Sequence, residues 1–178
     1  MSDVCIIKAS SGDLQTIHDM AQVVFRHTYR EILSPDQMEY MMDMMYSMPN
    51  LVQQLQEGHH YYIACIDGKP MGYVSVQHED ADPEGIEVFH LHKIYVMPEA
   101  QGRGVGMKLF ETAVAHVRDA AAGCRARIEL NVNKYNKAVE FYRHIGMRVL
   151  LEEDFPIGNG YYKTDYIMGL DIDSTKKS

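Results

Sequence analysis

Residues Leu91–Arg118 read LHKIYVMPEAQGRGVGMKLFETAVAHVR, and this stretch decides the fold. Its start has strand character. Ile94, Tyr95 and Val96 are β-branched or aromatic, and Pro98 ends the run. Its end has helix character, with Leu109, Ala113 and Val117 at helical spacing and Phe110 and Val114 widening the apolar stripe. Between them lies Gln101-Gly102-Arg103-Gly104-Val105-Gly106, with glycine at alternate positions. Backbone N–H groups in such a turn can close around an anion, and the helix dipole adds positive potential at the same point. Arg103 adds a full charge. The stretch therefore predicts a strand–loop–helix unit that holds a phosphorylated ligand. A Walker A loop is excluded, because Gly106 is followed by Met107-Lys108-Leu109 rather than Lys-Ser/Thr. A dinucleotide fingerprint needs its third glycine where Met107 stands.

The rest of the chain sets bounds on that ligand's role. At 178 residues it is read as one domain, residues 1–172, with a polar tail over residues 173–178. No apolar run approaches the length of a membrane span, and no signal peptide is read at the N-terminus. Cys5, Cys65 and Cys124 are odd in number and far apart in sequence. They suggest neither a disulfide framework nor a zinc site, so a cytoplasmic location is expected. A formal net charge of −8 argues against nucleic acid or an anionic membrane as partner and suits a cationic substrate.

Periodicity gives an alternation of strands and helices. A strand over Val4–Ala9 precedes a helix from the capping run Ser10–Asp13 to Tyr29 or Arg30. Ser34-Pro35 restarts a helix rich in methionine (Met38, Met41, Met42, Met44, Met45, Met48), read as core packing plus some exposed methionine. Pro49-Asn50 opens a third helix ending at Gly58. A hairpin of Tyr61–Ile66 and Met71–Gln77 turns at Asp67-Gly68, and a strand over Glu87–Val96 follows an acidic loop. After the central helix come a strand over Arg127–Val132, a helix over Asn136–Ile145, and strands over Met147–Leu151 and Tyr161–Ile172. The loop joining that last pair contains Gly158-Asn159-Gly160. The fold class is α/β, a mixed sheet with helices on both faces.

Two segments carry a family resemblance. The Gln101–Gly106 loop, after a strand ending in Ile-Tyr-Val, resembles the acetyl-CoA loop of the GNAT superfamily of N-acetyltransferases. Asn133–Met147 (NKYNKAVEFYRHIGM) is similar to that family's Asn…Ala-x-x-Phe-Tyr-x-x-x-Gly-Phe segment, with Met147 in place of the last Phe. The element order matches over nearly the whole chain. Within the family, Thr28-Tyr29, the Ser-Pro helix and the hairpin look like bacterial spermidine/spermine N-acetyltransferases.

The resemblance implies a mostly antiparallel sheet of six or seven strands with splayed central strands. It implies acetyl-CoA as cosubstrate and no metal. The diphosphate would lie on the amides of Gly102, Arg103, Gly104, Val105, Gly106 and Met107, with Gln101 beside them. The pantetheine arm would pair with the backbone of Ile94, Tyr95 and Val96, and Asn133 or Asn136 would bond it from the other side. Tyr142 stands where the family places the acid that protonates the leaving thiolate.

The attacking amine must lose a proton, since roughly one molecule in a few thousand of an amine with pKa near 10 is neutral at pH 7. Candidate bases are His92 first, because the resemblance implies a base there (spermidine/spermine-type relatives often carry a glutamate two residues before the Ile-Tyr pair), then Glu87 and His90. In a regular strand His90 and His92 share one face and Glu87 takes the other. No acidic or cysteine partner stands at ligand spacing from the two histidines to make a metal site. Phe25, Tyr29, Glu31 and Tyr161 are candidates to line the acceptor site. The expected reaction is direct transfer to a primary amine of a small molecule, such as a polyamine. The alternatives are a protein or peptide acetyltransferase, a non-catalytic CoA sensor and a nucleotide-binding regulator. A homodimer is compatible with the final strands and the methionine-rich helix.

Overall fold

The computed structural model describes residues 3–173. It contains β1 (Val4–Lys8), α1 (Leu14–Tyr29), α2 (Pro35–Tyr46), α3 (Met48–Gln56), β2 (His60–Ile66), β3 (Lys69–His78), β4 (Glu87–Val96), α4 (Val105–Ala121), β5 (Arg125–Asn133), α5 (Ala138–His144), β6 (Arg148–Gly158) and β7 (Tyr161–Asp173). The strands form one seven-stranded sheet in the order β1-β2-β3-β4-β5-β7-β6. The recorded pairings are antiparallel except that of β4 with β5, which is parallel over Glu87–His90. This is the mixed, mostly antiparallel α/β architecture with flanking helices that the sequence predicts. Of the expected tail, residues 174–178 lie outside the described residues.

The chain divides into two compact units. One comprises residues up to Gln77 together with His92–His116; the other comprises His78–Leu91 and the chain from Val117 onward. In the first unit, α1 buries Leu14, Ile17, Met20, Ala21, Val24 and Phe25 on one stripe. Each of these side chains except that of Ala21 contributes about 1.5–3 kcal/mol when fully buried. Ser34 caps α2 by accepting from the Gln37 amide, as its place before Pro35 predicts. Ser47 does the same for α3 at Asn50, a cap one residue earlier than the proline alone suggests, which places Met48 in α3. Met38, Met41 and Met42 are buried, so this part of the methionine-rich helix is core.

In the second unit, β5 and β7 pair over Arg125–Asn133, and Ile128, Leu130 and Val132 supply its buried face. One segment departs from expectation. β6 continues through Glu152, Glu153 and Asp154 to Gly158, where a loop is expected. Its turn is Gly158-Asn159-Gly160, with all three residues at positive φ. Acidic residues have low strand propensity, which hides the strand in sequence. β6 stands at the end of the strand order and Glu152–Asp154 are exposed there, so charge is tolerated and blunts the edge.

Candidate active site

The Gln101–Gly104 loop follows β4 and a short turn over Pro98–Ala100. Gly102 and Gly104 have φ of 78° and 80°, a left-handed conformation that costs a residue with a side chain about 1–2 kcal/mol. A Cβ placed on either would meet nothing within 4 Å, so both glycines face open space. Gly106 is different, because it already lies in the first turn of α4. The Lys108 amide donates to the Gly104 carbonyl at 3.1 Å. The amides of Val105, Gly106 and Met107 precede it and have no intrahelical acceptor. No acidic residue stands in that first turn. Positive φ at two exposed glycines, Arg103 between them and first-turn amides without an intrahelical acceptor at a 17-residue helix make a donor set suited to a diphosphate.

A glycine that the sequence reading passes over holds this loop in place. Gly72, in β3, would bring a Cβ within 2.8 Å of the Tyr95 carbonyl oxygen, 3.2 Å of Leu109 and 3.4 Å of Val105. Its lack of a side chain lets β4 and the start of α4 pack closely over β3. Glycine inside a strand is the sign that could have revealed it.

The face of β4 toward α1 is aromatic. Tyr29 and Tyr95 hydroxyls lie 3.3 Å apart, the Phe25 ring is 4.7 Å from Tyr29, and Phe25 meets Tyr95 edge-on at 6.3 Å. The structure thus brings together two of the acceptor-site candidates and Tyr95. Glu31 is exposed, as is Asp154, and Tyr161 is half-buried at the start of β7.

The three candidate bases occupy different surroundings. Glu87 is paired with His78 at 2.7 Å and His90 lies 3.5 Å from Glu79. The His92 Nε2 is 2.8 Å from the Gln77 side-chain oxygen, and its ring stacks on His59 at 4.4 Å. Lys93, next to His92, reaches the same neighbourhood: its Nζ donates to Gln54 of α3 and Tyr61 of β2, while Gln77 donates to the Glu57 carbonyl at the end of α3. Two consecutive side chains on one side mean that the alternation of β4 breaks at His92-Lys93.

Lys93 is itself the residue that sequence reading missed. It is 4 % exposed. Its Nζ donates to the Met45 carbonyl at 2.8 Å, the Gln54 side-chain oxygen at 2.9 Å and the Tyr61 hydroxyl at 2.6 Å, and lies 4.2 Å above the Tyr46 ring. Burial pushes the amine down to about 7. Burial, and then the positive charge of Lys93, hold His59 at about 4. Tyr73 donates to Tyr46 at 2.7 Å in the same interior, and burial raises both phenols well above their ordinary value. A lysine inside the run HLHKIYV is the signal that could have flagged it.

The remaining candidates belong to the second unit. Asn133 accepts from the Tyr135 amide at 2.9 Å and Asn136 from the Ala138 amide at 2.8 Å, so each side-chain oxygen shapes the turn between β5 and α5. Tyr142 lies in α5, 5 % exposed, with Phe141 edge-on at 5.6 Å. Among the described residues, no group of three or more His, Cys, Asp or Glu is placed to hold a metal.

Comparison with known proteins adds an independent line. The family model for the Acetyltransferase (GNAT) family matches residues 23–147. An uncharacterized N-acetyltransferase of Lactobacillus delbrueckii subsp. lactis is 27% identical over 175 residues, spanning 94% of this chain and 97% of its own. The PaiA N-acetyltransferase of Thermoplasma acidophilum, solved in complex with coenzyme A, superposes with a TM-score of 0.74 at 23% identity, covering 94% of this chain and 98% of its own. The ribosomal-protein-S18-alanine N-acetyltransferase of Escherichia coli superposes at 0.69 with 16% identity, covering 99% and 98%.

Proposed function

The chain belongs to the GNAT acetyltransferase family and is an acetyl-CoA-dependent acyltransferase, and we propose that its acceptor is the N-terminal α-amine of a peptide or protein. The observation that carries the acyl chemistry is the Gln101–Met107 turn, with Gly102 and Gly104 at positive φ. Its amides and Arg103 bind the CoA diphosphate. The backbone of Ile94, Tyr95 and Val96, beyond the Glu87–His90 register with β5, takes the pantetheine amides as an added strand would. Asn133 or Asn136 donates to the same arm through its side-chain amide.

Two features favour an α-amine. Its pKa is about 7.7–8.0, so about one molecule in ten is already neutral at pH 7, against one in a few thousand for an alkyl amine. That suits a strand on which Glu87, His90 and His92 each already have a side-chain neighbour. The Phe25–Tyr29–Tyr95 wall offers rings and hydroxyls to one ammonium and its neighbouring peptide group. A polyamine calls for lining carboxylates, whereas Glu31 and Asp154 are both exposed. The S18-alanine enzyme among the structural neighbours is in keeping with this choice. The net charge of −8 keeps a small cationic amine as the second reading.

In the reaction, His92, directly or through water, takes the proton of the attacking amine. The amine nitrogen adds to the thioester carbonyl, and collapse expels the CoA thiolate. Tyr142 donates its phenolic proton to that sulfur. The test measures CoA thiol release with peptides bearing a free N-terminus, the same peptides blocked at the N-terminus but carrying lysine, and spermidine. Release with the first set alone is expected; turnover with spermidine and none with peptides would overturn the acceptor assignment. Tyr142→Phe should lower kcat by about 10²-fold with little change in acetyl-CoA affinity.

A further inference from the structure

Cys5 and Cys65, sixty residues apart in sequence, are direct partners in the antiparallel register of β1 and β2. Directly opposed residues put their side chains on one face. The Ala9 amide donates to the Tyr61 carbonyl at 2.8 Å, so Ala9 and Tyr61 occupy a hydrogen-bonded position. Cys5 and Cys65 lie two such positions along the same register and are of the same kind. Their Cα atoms are then about 5.5 Å apart, inside the range of about 4.4–6.8 Å that a disulfide spans. β1 ends the strand order, Cys5 is exposed and Cys65 half-buried, so a reagent reaches the pair from the sheet edge. All three cysteines are thiols here.

We propose that Cys5 and Cys65 are a dithiol site for exchange with low-molecular-weight disulfides, closing a cross-strand bond that pins β1 to β2. The exposed Cys5 thiolate attacks one sulfur of the small disulfide, forms a mixed disulfide and expels one small thiolate. Cys65 then loses its proton, attacks the Cys5 sulfur and expels the second. One disulfide is reduced to two thiols while one forms in the protein, so electrons balance. Burial, and then the neighbouring Cys5 and Asp13, raise the Cys65 thiol. That assigns first attack to Cys5 and resolution to Cys65.

The test incubates the full chain, carrying Cys124→Ser to remove intermolecular pairing, with glutathione disulfide and then reads non-reduced peptide maps. The expected result is one crosslinked peptide pair containing Cys5 and Cys65, no retained glutathione, and a melting temperature several degrees higher that reverts with dithiothreitol. Cys65→Ser should trap the glutathione adduct on Cys5, and Cys5→Ser should leave Cys65 largely unmodified. A stable glutathione adduct on Cys5 in the chain that retains Cys65, or both thiols still alkylated after incubation, would overturn the proposal.

Discussion

Two regions of β4's surroundings do their work in opposite ways. The Gln101–Gly104 loop is exposed, and its glycines touch nothing within reach of a Cβ. The hub around Lys93 is buried, and each of its bonds joins residues far apart in sequence: Met45, Gln54 and Tyr61. The loop acts through backbone conformation, which local residue types encode. The hub acts through long-range contacts, which they do not. The teaching is that a local function is written where it happens, while its support is written elsewhere in the chain.

Gly72→Ala should give the largest effect, because it links the two regions. Its added Cβ would sit 2.8 Å from the Tyr95 carbonyl and force β4 or α4 to shift, costing about 1–3 kcal/mol of stability. Acetyl-CoA affinity should fall with it, measured by denaturant unfolding and calorimetry. Unchanged stability and affinity would mean that the loop does not depend on this close approach.

Lys93→Met comes next and probes the hub alone. The Met45 carbonyl keeps a donor in Gln54, and the Gln54 oxygen keeps one in Tyr61. The substitution therefore orphans neither acceptor and removes a buried charge. The sign follows from linkage. The folded amine sits at about 7 and the unfolded one at 10.5, so between these values the unfolded chain binds the extra proton. The cost of burying the charge is fully present below pH 7 and fades as pH rises. Wild-type unfolding free energy should gain on that of the variant by roughly 2 kcal/mol from pH 7 to pH 9. Parallel profiles from urea melts would show that Lys93 does not titrate there.

Gly104→Ala should be the smallest in stability, about 1 kcal/mol, since strain at φ 80° is its only cost and the space is open. Affinity for acetyl-CoA should drop by more than that. Equal losses in both would make the glycine a structural turn only.

This contrast explains what was legible in sequence. Helix starts at Ser34-Pro35, the Asp67-Gly68 turn and the glycine loop each rest on residues adjacent in the chain, and the structure has them. β6 beyond Leu151 was hidden because Glu152–Asp154 look like loop, and only the strand's place at the sheet edge lets them serve. The break in alternation at His92-Lys93 arises from partners on α3 and β2, which no local pattern carries. Cys5 and Cys65 look unrelated until the β1–β2 register sets them side by side. Asn133 and Asn136 remained interchangeable in sequence, and both bond the turn that contains them.

The central claim is that main-chain donors of Gly102–Met107 grip the diphosphate of coenzyme A. Calorimetric titration of the protein with acetyl-CoA and with acetyl-pantetheine, which carries the same thioester and arm without the diphosphate, tests it most directly. Loss of charge-assisted bonds worth about 1.5–3 kcal/mol each predicts at least about a hundredfold weaker binding for acetyl-pantetheine. Equal affinities for the two would contradict the claim.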